Sequence, residues 1–146
     1  MFFSSRELYF AYGSNMSSRR LSARVSSAKV IGPARLDGYI WCCNKLGQDG
    51  TAKANLMLQD DFAVHGVLFS VKTKQCRQLD RIEAGYRRIG VEVEHQGMVK
   101  KAFAYQSDLI TRHAPTLEYV SFIIDGLIEH QLPTEYVAEL RREAGI

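Results

Sequence analysis

The chain has 146 residues, of which 46% are apolar and 24% charged, with a net charge of +3. One domain over residues 1–146 is expected from that length and globular composition, which exclude disordered and low-complexity classes. No apolar run is long enough to cross a bilayer as a helix, and +3 is too small a charge to argue for nucleic acid.

In chain order, the first element is a short aromatic strand over residues 7–12 (ELYFAY), ended by the turn residues Gly13, Ser14 and Asn15. Residues 17–27, rich in serine and arginine with few apolar positions, read as a short helix. Residues 29–36, 38–46, 53–58 and 62–71 read as four strands. Residues 73–85 predict a helix capped by Thr73, with Cys76, Leu79 and Ile82 on one face and Gly85 as its stop. Residues 86–95 alternate apolar side chains with Glu92 and Glu94, a strand of period two. Gln96-Gly97-Met98 joins it as a hairpin to a strand over residues 99–106. Residues 116–129 predict a helix with Leu117, Val120, Ile124 and Leu127 along one stripe, and residues 134–144 a last helix closed by Gly145. Strands that mostly adjoin one another, followed by late helices, point to an α+β fold with a curled, mainly antiparallel sheet.

Three cysteines, two of them adjacent (Cys42, Cys43) and Cys76 alone, suit a reducing compartment. The opening MFFSSREL lacks the basic-apolar-small order of a signal peptide. A cytoplasmic protein is expected, with no membrane or nucleic-acid partner and an oligomeric state that is unknown from sequence. Arg6, Arg19, Arg20, Arg24, Lys29 and Arg35 face Glu7 alone over residues 1–35. That segment is a solvated basic face or a docking surface for an acidic partner. His65, His95, His113 and His130 are scattered, with no HExxH and no paired Cys/His spacing, so no metal site is expected. There is no Walker loop, no GxGxxG after a strand and no GxSxG elbow.

Two segments carry chemistry. Around Gly13 the backbone can approach a ligand closely, and successive N–H groups of the turn can form an anion-binding nest. Ser14 and Asn15 add side-chain hydrogen bonds for a carboxylate or carbonyl, and the N-terminus of a helix over 17–27 would favour negative charge there. The bland alternative is a strand-to-helix turn in which Ser14 or Asn15 merely caps the helix. The second segment is Leu79-Asp-Arg-Ile-Glu83-Ala-Gly-Tyr-Arg-Arg88. Glu83 sits at the negative end of a helix with Asp80 three residues before it, and both features raise a carboxyl pKa, unless Arg87 or Arg88 folds back to oppose them. A carboxyl tuned upward suits general acid–base work; the alternative is a solvent-facing glutamate in an arginine-rich turn.

Together the segments resemble the gamma-glutamylcyclotransferase family (AIG2-like proteins). The likeness rests on YFAYGSN followed about seventy residues later by LDxxE and a tyrosine–arginine strand, and on Val64-His-Gly66-Val67-Leu68-Phe69 between them. It extends through Ala104-Tyr105 and from Gly126 to Leu132-Pro133-Thr-Glu-Tyr136. The resemblance implies a small mixed, mainly antiparallel β-barrel flanked by helices. It also implies release of 5-oxoproline from a gamma-glutamyl amino acid or amine, without metal or cofactor. Glu83 matches the catalytic glutamate, Tyr12, Gly13, Ser14 and Asn15 match the substrate-cradling turn, and Tyr105 matches a tyrosine that helps hold the glutamyl head. The lack of a nucleophilic side chain fits, because a gamma-glutamyl group brings its own α-amine.

Two departures bear on specificity. Ala84 stands where the family usually has glycine directly after the glutamate, and the loop to Tyr86 is short, leaving one wall of a pocket open or supplied by other residues. Asn15 is closer to the gamma-glutamyl amino acid branch than to the glutathione-specific one, and the Thr-Leu common in the gamma-glutamylamine branch is missing. The rival readings are a non-catalytic module that binds an acidic gamma-glutamyl-like ligand, and acidic-partner docking through Arg19, Arg20, Arg24 and Lys29.

Overall fold

A computed structural model describes residues 5–146, so part of the opening segment read for a targeting signal lies outside them. Five strands close a mixed barrel in the order β1-β3-β2-β4-β5. They are β1 (Arg6–Ala11), β2 (Lys29–Leu46), β3 (Ala52–Lys72), β4 (Arg87–His95) and β5 (Met98–Gln106). Neighbours are antiparallel except at the closure, where β1 meets β5 in parallel with Tyr9 opposite Phe103. Four helices flank it: α1 (Ser18–Arg24), α2 (Thr73–Ile82), α3 (Leu117–Glu129) and α4 (Thr134–Ala144). This is the α+β barrel expected above. Among the described residues no helix is long and apolar enough to cross a membrane.

Four short strands were expected where the structure has two long ones. Gly38 does not break the ribbon: β2 shifts register between Asp37 and Tyr39, and β3 runs from Leu58, opposite Tyr39, to Ala63, opposite Asp37. Residues 59–62 bulge outward across from that one glycine, and the ribbon bends there. The β4–β5 connection is a two-residue hairpin with Gln96 and Gly97 both at positive φ (51° and 77°), the pairing of signs that matches strand twist.

The helices correct two further expectations. In α2, Thr73 is not the cap; its N–H donates to the Ser5 carbonyl, and Ile82 is exposed while Cys76 and Leu79 are buried. In α3, Thr116 caps by accepting from the Tyr119 N–H (3.1 Å), but Leu117 is exposed and the packed face is Tyr119, Val120, Ile123, Gly126 and Leu127. Val120 and Leu127 pack as expected; Ile124 packs only partly and Ile123 takes the buried place beside them, because the two isoleucines are equally apolar and only packing separates them.

One hydrophobic cluster joins barrel and helices, with Phe10, Met16, Leu21, Leu56, Leu68, Phe69, Leu79 and Leu127 at most 1% exposed. Each such side chain contributes roughly 1.5–3 kcal/mol on burial. Met16 and Leu21 matter most for position, since they anchor the chain on either side of the start of α1. The basic residues of the N-terminal segment go to different places. Arg6 holds the Ser70 hydroxyl and carbonyl, Arg35 pairs with Asp37 and Glu94, and Arg20 and Arg24 turn toward the region of Glu83.

Candidate active site

Leaving β1, the chain passes Tyr12 and Gly13 into a single 3-10 turn (Ser14–Met16). The Trp41 indole pins the Tyr12 carbonyl at 3.0 Å. At Gly13 a Cβ would lie 2.9 Å from the Ala54 methyl and 3.4 Å from the Tyr119 hydroxyl, so only glycine allows the backbone this close to β3. The turn closes with the Met16 N–H on the Gly13 carbonyl (3.0 Å) and the Ser17 N–H on the Ser14 carbonyl (3.2 Å). Those bonds leave the N–H groups of Gly13, Ser14 and Asn15 outside the turn's own pairing. The helix contributes nothing further: α1 is only seven residues long, and its first N–H groups are spent on Glu129 and on the Ser17 hydroxyl.

Glu83 arrives from the other side as the C-terminal cap of α2, its N–H bonded to the Leu79 carbonyl at 2.9 Å. Its Oε1 accepts from the Asn15 amide at 2.7 Å and from Arg24 at 3.4 Å, and its side chain is 15% exposed. Tyr12, Gly13, Ser14, Asn15, Glu83 and Tyr105 therefore line one cavity, sixty-eight residues apart along the chain in the case of Asn15 and Glu83.

Tyr9, Ala54, Tyr86 and Tyr119 complete the lining and were not anticipated. The Tyr9 hydroxyl accepts from Asn15 at 3.0 Å, and the Tyr119 hydroxyl accepts from the Ala54 N–H at 2.8 Å. Each keeps its own proton to donate. Tyr86, whose hydroxyl donates to the Ala54 carbonyl at 2.6 Å, lines the cavity beyond the short loop after Glu83, so that wall is supplied by another residue rather than left open. Lys45 steadies that loop by donating to the Ala84 carbonyl at 2.9 Å. Arg24, one helical turn after Arg20, was legible only as part of a basic segment; the i,i+4 spacing was the available signal. Tyr105 presents its ring, for its hydroxyl is committed to Asp80 at 2.6 Å, and its carbonyl accepts from the Tyr12 hydroxyl.

A family model described as AIG2-like matches residues 63–140, just over half of the chain. The chain belongs to the AIG2-like family. No curated protein matches its sequence. Among solved structures, one titled gamma-glutamyl cyclotransferase is 27% identical with a TM-score of 0.86, over 94% of this chain and 87% of the other. An uncharacterized human protein is also 27% identical, with a TM-score of 0.85, over 93% and 86%. A yeast cyclotransferase specific to glutathione shares the fold, at 14% identity and a TM-score of 0.64, over 97% and 96%. By its family and its likeness to the first of these structures, this AIG2-like chain is a gamma-glutamylcyclotransferase-like enzyme.

In this AIG2-like site the carboxyl of Glu83 is pushed above its usual 4.5, and the cause differs from the one expected. Burial raises it, opposed by Arg24, the Asn15 amide and Lys45. Asp80 plays no part: its carboxylate is held by Arg88 at 2.8 Å, with Tyr105 on its other side. Arg87 is likewise occupied, with Asp108. The burial that tunes Glu83 also weakens the fold. A carboxyl whose pKa rises on folding binds its proton more tightly in the folded state, so stability falls as pH climbs from 4.5 through the folded value. Glu83→Gln is therefore expected to raise Tm at pH 7 over the parent, with the gain closing below about pH 4.5; calorimetry across that range checks it. Equal Tm values at pH 7 would show that Arg24 and Asn15 fully offset the burial.

Among the described residues no group of three or more His, Cys, Asp and Glu could hold a metal ion.

Proposed function

We propose that the enzyme releases 5-oxoproline from a gamma-glutamyl donor by attack of the donor's α-amine on its own γ-carbonyl. What carries the reading is a largely buried carboxylate, Glu83, facing the Tyr12–Asn15 turn across one cavity with the Asn15 amide on its oxygen at 2.7 Å. The turn takes the donor's α-carboxylate, and the tyrosine walls fold its methylene chain. Holding amine and carbonyl together in this way is worth about 7–11 kcal/mol of the barrier.

The amine arrives as ammonium. Glu83 removes one proton, the nitrogen lone pair adds to the γ-carbon, and the carbonyl π pair moves onto oxygen. The spare protons of Tyr9 and Tyr119 meet that oxyanion, while the turn N–H groups hold the α-carboxylate. Glu83 then passes that proton to the departing nitrogen as the C–N bond breaks and the oxygen's electron pair re-forms the carbonyl. The same carboxylate next takes the extra proton left on the ring nitrogen and yields it to the released amine, giving 5-oxoproline and the leaving group as its ammonium. A carboxyl that takes and returns a proton needs a pKa drawn toward neutrality, the direction in which burial moves it.

The test is mass-spectrometric detection of 5-oxoproline from γ-glutamyl-alanine, glutathione and a panel of γ-glutamyl amines, beside a Glu83→Gln control. Binding without product from any of these donors would replace the enzyme with a module that holds the ligand and does not cut it. Asn15→Asp gives a second check. A second carboxylate 2.7 Å from Glu83 raises the pKa for loss of the pair's last proton, so the acid limb of kcat/KM is expected to move up by about 1 pH unit or more. A pH–rate profile with an unmoved acid limb would take Glu83 out of that titration.

A further inference from the structure

Beside the tyrosine-lined cavity lies a second cleft of about 340 Å³, which shares Ser14, Glu83, Tyr86 and Tyr119 with it. Given the reaction proposed above, on which this inference rests, the glutamyl head fills the first and the departing group lies in the second. The second is electropositive. Four cations line it (Arg20, Arg24, Lys45 and Lys53) against the carboxylates of Asp49 and Glu83.

Two of the four are neutralised, Arg24 by Glu83 at 3.4 Å and Lys53 by Asp49 at 3.3 Å. Among the described residues, Arg20 and Lys45 have no carboxylate within 4.0 Å. Arg20 donates to the Ser14 hydroxyl at 3.0 Å and lies 4.2 Å over the Phe122 ring. Lys45, 3% exposed, has only the Ala84 carbonyl and the Tyr86 ring, 4.5 Å away. A cation so far removed from water and unpaired is costly, and an incoming anion offsets that cost. Arg20 comes from α1 and Lys45 from β2, so the cleft offers two separate anchors rather than one.

We propose that the preferred donors are γ-glutamyl dipeptides whose leaving amino acid is itself acidic, one of its two carboxylates going to Arg20 and the other to Lys45. Neutral leaving groups satisfy one anchor or none. The glycine at 85 agrees with a dedicated place for the lysine: a Cβ there would lie 2.8 Å from Nζ.

The experiment compares kcat/KM for 5-oxoproline release from γ-glutamyl-glutamate, γ-glutamyl-glutamine and γ-glutamyl-butylamine, which leave two, one and no carboxylates. Each carboxylate lost is expected to cost roughly tenfold, and the steps shrink as salt is raised. Lys45→Met brings the glutamate-to-glutamine ratio toward one, while Lys45→Arg keeps it. The ratio is the readout because Lys45 also steadies the loop after Glu83, and a change in turnover common to both donors cancels. Should Lys45→Met fail to fold, Arg20→Gln supplies the same ratio. Equal use of the two dipeptides by the parent, or a ratio unmoved in the variants, overturns the selectivity while leaving the reaction standing. No 5-oxoproline from any donor overturns both.

Discussion

Glu83→Gln is expected to cut 5-oxoproline release by roughly 10²–10⁴-fold, the range for a single general acid–base group, while leaving substrate binding nearly unchanged. Glutamine is close to isosteric and its carbonyl can still accept from Asn15, so the cavity keeps its shape and its hydrogen bond. What is lost is the ability to take a proton from the ammonium and hand it to the leaving nitrogen. The loss should fall on kcat, with KM little moved, because the turn and the tyrosines that grip the glutamyl head are untouched. In the parent enzyme the acid limb of kcat/KM reports the free enzyme's base, so it should lie above the 4.5 of an ordinary glutamate. Steady-state kinetics of both proteins over pH 4–9 supply the test. Product formation by the glutamine variant at the parental rate would remove Glu83 from the chemistry and leave positioning as the whole of catalysis.

Gly126→Ala should be among the most damaging single methyls in the described residues. Alanine in a helix interior is intrinsically better than glycine by about 1 kcal/mol. At this position, however, a Cβ would sit 2.5 Å from the Met16 Cβ, 2.7 Å from the Met16 carbonyl carbon and 2.8 Å from the Ser17 nitrogen. Two of those three atoms are backbone and cannot rotate away, so α3 or the 3-10 turn has to move. Overpacking of this kind costs typically about 1–3 kcal/mol, or more where the backbone is the obstacle. At about 2–4 °C per kcal/mol for a chain of this length, a Tm drop of several degrees is expected. Activity should fall further than stability, because the segment displaced carries Ser14 and Asn15. Gly90→Ala, where a Cβ meets nothing within 4 Å, is the matched control. A variant at 126 as stable and active as the control would mean that the helix slides on the turn without disturbing it.

Both halves of the site were readable because each is written in a few consecutive residues: a strand ending in Gly-Ser-Asn, and a helix ending in Glu-Ala-Gly. The walls were not. Tyr9 sits in β1, Tyr119 in α3 and Tyr86 in the loop before β4, and nothing local to any of them marks a side chain that faces a shared cavity rather than the core. The cause of the Glu83 shift was missed for a related reason. A local reading sees only neighbours along the helix, such as Asp80, whereas burial and the Arg24 contact come from residues far along the chain. Gly38 misled in the opposite sense: a glycine between apolar runs looks like a turn, and only pairing with a bulged partner reveals one continuous ribbon.

The parallel seam between β1 and β5 sets a timetable for biosynthesis. Tyr9 finds Phe103 only after most of the chain has been made, and the antiparallel partner β3 must emerge first. At about 5–20 residues per second on the ribosome, the aromatic first strand waits on the order of 5–20 s for its last neighbour. Until then the first strand can pair with β3 along one side only, and its aromatic stretch keeps one open edge, the kind of segment that chaperones bind and that aggregates when they are scarce. Because the cavity lined by Ser14 and Asn15 also needs Tyr105 of β5 and Tyr119 of α3, it closes among the last of the folding events, and a chain cut short before β5 would lack it.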